Sequence, residues 1–190
     1  MRRRELVAGL GALAVFGSGV SYHFGAFDPG DITGRGDEGE QGEESSDQIS
    51  PVVMSRIEAP GSPPGSETVP EAGKVTYVAL FATWCGTCQT KMEPLGEAAD
   101  AVADDEDVQF VSVTSEPVGR TVEEEDVVDW WVEYDGRWPV AHDDSLDFSM
   151  EVDARGVPYS VVIDRENRVT WSDAGYKEAA EILDRIDEAR

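Results

Sequence analysis

The feature that most constrains the fold is a pair of cysteines, Cys85 and Cys88, which are the only cysteines in the chain. Residues 74–83, before the pair, form a near-continuous apolar run rich in Val, Tyr and Phe, which is typical of a strand covered on both faces. Residues 85–103 have a helical pattern, which Pro94 is expected to kink. Two cysteines so close in sequence cannot close loops as a disulfide framework does, so the pair serves either redox chemistry or a metal.

The position of the pair predicts a redox-active dithiol at the N-terminus of a helix. Cysteines at positions i and i+3 share one helix face and are close enough for a disulfide to form and break. At the first turn, free backbone N–H groups and the positive end of the helix dipole favour the thiolate of Cys85. Cys88 lies one turn further in and is expected to be more shielded. Cys85 is therefore predicted to be the nucleophile and Cys88 the resolving thiol, and no organic cofactor is implied.

Strand and helix patterns alternate along residues 51–190. The predicted strands are residues 52–57, 74–83, 108–114, 140–142, 159–163 and 168–171. The predicted helices are residues 85–103, a helix that starts at Thr121, residues 146–152 and residues 176–189. Residues 59–70 are rich in Pro and Gly and are predicted to be a loop. This order predicts an α/β fold with a mixed sheet and helices on both faces.

Two of these helices have an apolar stripe that is expected to face the core. The second helix begins with Thr121-x-x-Glu124, the pattern of a capping box. Its stripe has helical spacing and comprises Val127, Val128, Trp131 and Tyr134. The closing helix has the stripe Ala179, Ile182, Leu183 and Ile186. Both helices are therefore predicted to pack against the sheet.

The charge balance excludes one class of partner. The chain has 40 acidic and 15 basic residues and a formal net charge of -25, so it is not expected to bind nucleic acid. The acidic residues are not confined to a tail, because residues 52–190 alone hold 31 acidic and 11 basic side chains. This excess indicates adaptation to molar salt, where the Debye length falls to about 3 Å and self-repulsion is screened. An ordinary solvated acidic surface is the alternative.

The N-terminal residues have the pattern of an export segment. Residues 1–27 begin with three arginines after Met1 and continue as a mostly apolar run, which resembles a twin-arginine signal. They are predicted to be an uncleaved signal anchor, with a cleaved export signal as the alternative. Residues 28–50 are Gly-, Asp-, Glu- and Ser-rich and are predicted to be an acidic, disordered tether. Residues 51–190 are then a domain on the extracytoplasmic face of the membrane.

The cysteine pair lies in the segment FATWCGTC at residues 81–88, and the segment GVP at residues 156–158 precedes the strand and aspartate SVVID at 160–164. This combination resembles thioredoxin-fold proteins of the membrane-tethered TlpA/ResA type over residues 52–190. The resemblance implies a thioredoxin-like three-layer fold, with a central mixed sheet of four to five strands and helices on both faces. It also implies a thiol-disulfide oxidoreductase.

The resemblance further implies a substrate groove and a set of partners. Pro158 is expected to follow a cis peptide bond and to pack against the dithiol, and Val157 would offer its backbone to an extended substrate segment. Trp84 would shape the same groove. The implied partners are protein thiols and disulfides, with apocytochrome c as one client class, and a membrane electron donor. A monomer is expected, and the sequence leaves open whether clients are oxidised or reduced.

Three positions depart from the pattern of that family. Thr87 replaces the proline common between the cysteines, and Ala79 stands where thioredoxins often have a buried aspartate that assists proton transfer. Lys91 occupies the place of a common glutamate, for which Glu93 is a candidate substitute. Lys91 either stabilises a thiolate of the pair or lies on a solvated helix surface. Thr87, Lys91 and Glu93 are therefore candidate modulators of the dithiol.

Two other function classes compete with the redox interpretation. A copper or other metal chaperone of thioredoxin fold would use Cys85, Cys88 and His142, although a zinc site usually needs four ligands. The second histidine, His23, lies in the N-terminal apolar segment. His142 is otherwise interpreted as a solvated strand end. The second alternative is an interaction module in which the cysteine pair has no chemical role.

Overall fold

The computed structural model describes residues 48–175 and 177–190. These residues form a seven-stranded sheet and four helices. The predictions for residues 1–27, and those for 28–47 of the predicted tether, lie outside the described residues. Within the part of the chain that the structure describes, no helix is both long enough and apolar enough to cross a bilayer.

The sheet is mixed, as predicted, with the strand order β2-β1-β5-β4-β3-β6-β7. Its strands are β1 (Val52–Arg56), β2 (Ser66–Val69), β3 (Val75–Phe81), β4 (Val108–Thr114), β5 (Val140–His142), β6 (Tyr159–Ile163) and β7 (Val169–Ala174). The helices are α1 (Gly86–Ala101), α2 (Glu124–Glu133), α3 (Asp147–Glu151) and α4 (Ala179–Glu188). Strands β3, β4 and β5 are parallel to one another, and the other neighbouring pairs are antiparallel.

Strands β3 and β4 lie at the centre of the sheet and are buried along their whole length. Tyr77 and Phe81 of β3 face a core cluster shared with α1, α2 and α4. Val78 and Leu80 face the opposite cluster, which contains Phe148 of α3. Because the β3-α1-β4 and β4-α2-β5 crossovers move in the same direction across the sheet, right-handed connections place α1 and α2 on the same face. Helix α3 packs against the opposite face through Phe148. The prediction of helices on both faces of the sheet is therefore confirmed.

The predicted number of strands, four to five, is wrong, because the sheet has seven. Strand β2 lies within residues 59–70, which were predicted to be a loop. It pairs antiparallel with β1, and Glu67 and Val69 are buried while Ser66 and Thr68 are exposed. Its four residues lie between Gly65, with φ 147°, and Pro70, so the turn residues at both ends obscure a strand this short.

The start of α2 also differs from the prediction. The helix begins at Glu124 rather than near Thr121, and Asp126 accepts a hydrogen bond from the Glu123 N–H at 3.2 Å. Thr121 instead belongs to a turn, in which its N–H donates to the Pro117 carbonyl at 3.1 Å. The predicted apolar stripe of α2 does face the core. Val127 and Trp131 are buried, and Val128 and Tyr134 are partly buried against the same cluster.

The described part of the domain starts within the segment predicted as tether. Gln48 forms a β-bridge with Arg168, and the Ile49 N–H donates to the Asn167 carbonyl at 2.9 Å. Ile49 is also buried in the core cluster on the α3 side of the sheet. Residues 48–50 are therefore held by the β6-β7 hairpin and α3, because Ile49 supplies an apolar side chain that the rest of that segment rarely offers.

Candidate active site

Cys85 and Cys88 lie at the beginning of α1 and form a disulfide, with their Cα atoms 5.2 Å apart. Cys85 is the N-cap residue and has extended backbone geometry, whereas Cys88 lies in the first turn of the helix. Cys85 is 6% exposed and Cys88 is 2% exposed. Both residues are largely buried, and Cys85 has the larger contact with solvent, in the order expected for an attacking and a resolving thiol.

The surroundings of the Cys85 sulfur favour negative charge. Its Sγ atom accepts a hydrogen bond from the Cys88 N–H at 3.1 Å, as a capping side chain does at a helix N-terminus. A backbone donor aimed at sulfur stabilises a thiolate more than a thiol. The first turn of α1 has no acidic residue, although the chain has 40 of them. The local field at Cys85 is therefore not opposed by a neighbouring carboxylate on its own helix turn.

The predicted groove residues lie around the dithiol loop. Trp84 is 74% exposed, and it directly precedes Cys85. The Val157–Pro158 peptide bond is cis, as the resemblance implied. In the antiparallel β3-β6 pair, Leu80 lies opposite Tyr159, so Pro158 lies beside the end of β3 from which the chain continues to Trp84. Val157 and Pro158 are each partly exposed, so all three residues are open to an approaching chain.

Lys91 is buried rather than solvated, so the interpretation as a helix-surface residue is wrong. It is 2% exposed, and its Nζ donates a hydrogen bond to the Ser160 Oγ of β6. Ser160 in turn lies 2.9 Å from the Tyr77 hydroxyl and pairs in register with Ala79. The small side chains of Ala79 and Ser160 face the helix, so the lysine side chain can extend to the sheet.

Burial controls the protonation of this network. Burial lowers the pKa of Lys91 to about 8, and the nearby charge of Lys177 acts in the same direction. Burial also raises the pKa of Tyr77, so its phenol stays neutral and can donate a hydrogen bond. Of the other candidate modulators, Thr87 and Glu93 are both exposed on α1. Of the three candidate modulators, only Lys91 is buried, and it lies three residues after Cys88 on the same helix.

Sequence reasoning missed Glu116, which fixes the chain just before the dithiol. It is 6% exposed, and its carboxylate accepts hydrogen bonds from the Thr83 N–H and the Thr83 hydroxyl, both at 2.8 Å. The Thr114 hydroxyl donates a third, at 3.2 Å. Among 40 acidic residues nothing marks this one, except that it follows the carboxyl end of a buried parallel strand, next to the end of β3.

His142 takes part in the same support and does not join the cysteines. Its Nε2 lies 2.8 Å from the Glu116 carbonyl oxygen, to which it donates. Among residues 48–175 and 177–190, no group of three His, Cys, Asp or Glu side chains is arranged to hold a metal ion. The three-ligand set proposed for a metal chaperone is thus not assembled, and His23 lies outside the described residues.

The Redoxin family model matches residues 57–186. No curated protein sequence gives a significant match to the chain. Among solved structures, StoA from Bacillus subtilis has a TM-score of 0.62 and 17% identity, covering 73% of this chain and 98% of that chain.

Two further structures give similar figures. A putative thiol:disulfide interchange protein DsbE from Chlorobium tepidum has a TM-score of 0.60 and 20% identity, covering 75% of this chain and 95% of that chain. The exposed lipoprotein thioredoxin Etrx1 from Streptococcus pneumoniae has a TM-score of 0.61 and 21% identity, covering 73% of this chain and 99% of that chain. At these identities the likenesses confirm the thioredoxin-like α/β fold.

Proposed function

The chain belongs to the Redoxin family, and from that premise we propose that it catalyses thiol-disulfide exchange on protein substrates through Cys85 and Cys88. The family and the cysteine pair together support an oxidoreductase. The observation that carries the proposal is the hydrogen bond from the Cys88 N–H to the Cys85 sulfur, at the start of α1 and beside the exposed Trp84. A hydrogen bond of this kind stabilises the thiolate of Cys85, and the exposed Trp84 offers a client segment a surface next to it.

The exchange proceeds in two displacement steps. In the reducing direction, the Cys85 thiolate attacks one sulfur of a client disulfide, which forms a mixed disulfide and releases a client thiolate. The Cys88 thiolate then attacks the Cys85 sulfur, which forms the intramolecular disulfide and releases the second client thiolate. Two electrons pass from the dithiol to the client. In the oxidising direction, a client thiolate attacks Cys85 Sγ and the same steps run in reverse.

Trp84, Val157 and Pro158 form the proposed client-binding groove. Their support is positional: Trp84 is exposed next to the nucleophile, and the cis peptide bond of Val157 and Pro158 lies beside the end of β3. A large exposed indole provides apolar contact area for an extended segment. We propose that a client lies across these residues with its disulfide over Cys85.

Two cysteine variants test the exchange reaction. Cys85→Ser should abolish reduction of a protein disulfide such as that of insulin, because no nucleophile remains. Cys88→Ser should still attack and should accumulate a mixed disulfide that is visible on a non-reducing gel, because resolution is blocked. Thermal unfolding of both variants checks that they remain folded. An inactive wild type, or a Cys85→Ser protein with undiminished exchange, contradicts the proposal.

The finer features belong to the same proposal: a TlpA/ResA-type protein, anchored by residues 1–27 on the extracytoplasmic face of the membrane. Apocytochrome c cysteines are the proposed client class, a membrane protein the proposed electron donor, and a monomer the proposed state. The arginine-led apolar N-terminus supports the location. A membrane-impermeant maleimide should label the reduced pair in intact cells expressing the full chain. Labelling only after lysis would place the dithiol inside the cell.

We also propose adaptation to molar salt. The formal net charge of -25 supports it, as does the burial of two of the three lysines, Lys91 and Lys177. Screening of carboxylate repulsion should raise the urea midpoint as salt increases from about 0.1 M to several molar. The same screening should accelerate alkylation of Cys85 at neutral pH. Equal stability in dilute buffer and in molar salt would contradict the proposed adaptation. The proposed exchange reaction would not be affected by that result.

A further inference from the structure

We propose that Lys91 exchanges a proton with the Cys88 thiol, so that this buried amine activates the resolving step. The inference rests on the proposed function, since it concerns the second displacement of that reaction. The positions where such a group would be expected do not provide one: Gly86 and Thr87, between the cysteines, do not titrate near neutral pH, and the side chain of Ala79 has no polar atom.

The placement of Lys91 is the first support. It lies three residues after Cys88 in α1, so both side chains occupy the same helix face, and each is 2% exposed. Cys88 belongs to the core cluster between α1 and the sheet, together with Tyr77 and Ala79. The Lys91 amine reaches Ser160, which lies opposite Ala79 in the β3-β6 ladder. The amine therefore ends on the side of the sheet where Cys88 packs.

The incomplete charge compensation of the amine is the second support. Among the described residues Lys91 has no ion pair, and its hydrogen-bond partner is a neutral hydroxyl. The charged groups that face it are Lys177 before α4, Asp173 of β7 and Glu181 of α4. Lys177 opposes a second positive charge there, and Asp173 already pairs with Lys177 at 3.0 Å. A buried ammonium in this position lacks a dedicated anion, which a Cys88 thiolate would supply.

The other titratable group that reaches the network is the Tyr77 phenol of β3, through Ser160. Its pKa is raised by burial, so it does not compete with the amine as a base near neutral pH. Burial lowers the pKa of Lys91 to about 8, so this amine gives up and takes back a proton near neutral pH far more readily than an exposed lysine does. Geometry and protonation thus agree on the same side chain.

After Cys85 has formed the mixed disulfide, the neutral Lys91 amine takes the proton of the Cys88 thiol and becomes an ammonium beside the Cys88 thiolate. That thiolate attacks the Cys85 sulfur; the Cys85–client bond breaks and the Cys85–Cys88 bond forms. Once the thiolate charge is gone, the ammonium loses its anion and releases the proton, which the departing client thiolate or solvent accepts. In the oxidising direction the proton moves the opposite way.

The first test measures the ionisation of Cys88 alone. In full-length protein with Cys85→Ser, the thiolate absorbance of Cys88 is followed against pH, with and without Lys91→Met. We expect about a tenfold lower thiolate fraction at pH 7 in the Lys91→Met protein, because the compensating cation is lost. Lys74→Met is the matched control, since Lys74 is partly exposed and precedes the opposite end of β3. It should leave the fraction within about twofold of the parent.

The second test separates proton exchange from a structural role. Resolution of a preformed Cys85–client mixed disulfide is measured in a single turnover as a function of pH. Lys91→Met should slow it about tenfold at pH 7, and the deficit should vanish at a pH high enough to ionise Cys88 unaided. Lys91→Gln keeps a donor for Ser160 but cannot titrate, so it should show the same pH-dependent deficit.

Three outcomes overturn the inference: an unchanged Cys88 titration in Lys91→Met, a deficit of equal size at every pH, or full rescue by Lys91→Gln. In each of them the Cys85→Ser variant would still lack exchange activity, so the proposed function would stand. A wild type without exchange activity would instead remove the proposed function and, with it, the step assigned to Lys91.

Discussion

Replacing the buried lysine should make the oxidised protein more stable at neutral pH. Lys91 is 2% exposed, and burial lowers its pKa from 10.5 to about 8. At about 1.4 kcal/mol per pKa unit, keeping the ammonium in the folded state costs about 3 kcal/mol. Lys91→Met removes that cost and leaves Ser160 without its donor, which returns about 1 kcal/mol. We expect a net gain of about 2 kcal/mol in the free energy of unfolding at pH 7.

The pH dependence distinguishes this cause from better packing. Below pH 8 both folded and unfolded wild type bind the lysine proton, and the full cost is present. Between about pH 8 and 10.5 the unfolded chain holds the proton and the folded protein does not, so wild-type stability rises with pH relative to the variant. Above that range neither state is charged and only the lost hydrogen bond remains. The variant should then be the less stable protein, by about 1 kcal/mol.

The assay is urea unfolding of the disulfide-bonded protein at fixed molar salt, from pH 7 to about pH 11, followed by tryptophan fluorescence. Trp131 and Trp138 are buried and report the loss of the core. Lys74→Met is the control, because Lys74 forms a surface pair with Glu71 at 3.0 Å. Its curve should stay within about 0.5 kcal/mol of wild type at every pH. Parallel curves for wild type and Lys91→Met would refute the reasoning, since the amine would then carry no desolvation cost.

Three further predictions concern the support of the site. Glu116→Ala should lower the free energy of unfolding by about 3 kcal/mol, because its buried donors lose their acceptor; a loss under about 0.5 kcal/mol in urea unfolding contradicts this. His142→Ala should cost about 1 kcal/mol and leave copper(I) affinity unchanged in a competition titration; a large fall in affinity would revive the metal-chaperone interpretation. Gly136→Ala should cost about 2 kcal/mol or more, since its Cβ would meet the Trp131 ring at 2.2 Å, whereas Gly86→Ala meets nothing within 4 Å. Equal midpoints for the two glycine variants would be inconsistent with that clash.

Local patterns predicted the centre of the site. The apolar run before Cys85 and the helical pattern after it specify a strand-to-helix junction, and β3 and α1 meet there. The order of exposure of Cys85 and Cys88 also follows from their positions in the first helix turn. These features depend on residues within one or two turns of each other, so a single sequence is enough to read them.

The support of the site depends on contacts distant in sequence. Lys91 meets Ser160, which is 69 residues away, and Thr83 meets Glu116, which is 33 residues away. A lysine on an amphipathic helix normally extends into solvent, and the interior position becomes available because the facing residues, Ala79 and Ser160, are small. No pattern within α1 itself reports that space.

Strand β2 also depends on a neighbouring strand, whereas the start of α2 is set by a turn that the helical pattern did not reveal. The four residues Ser66–Val69 form a strand because β1 lies beside them, although glycine and prolines surround them in sequence. The turn held by the Pro117 carbonyl likewise moves the first residue of α2 from the Thr121 region to Glu124. In β2 the hydrogen bonds to β1, and before α2 the bonds within the turn, outweigh a local preference of a few tenths of a kcal/mol per residue.

The sequence by itself determined the cysteine pair at a strand-to-helix junction, the acidic charge and the alternation of strands and helices, because each is a property of neighbouring residues. Tertiary structure alone decided that Lys91 is buried, that Glu116 holds the chain before Cys85, and that His142 supports Glu116 rather than joining the cysteines. The physical reason is that burial and hydrogen-bond partners are set by which segments the sheet brings together. The functional groups of a side chain are given by the residue type, whereas the free energy of its charge depends on the solvent that it loses on folding.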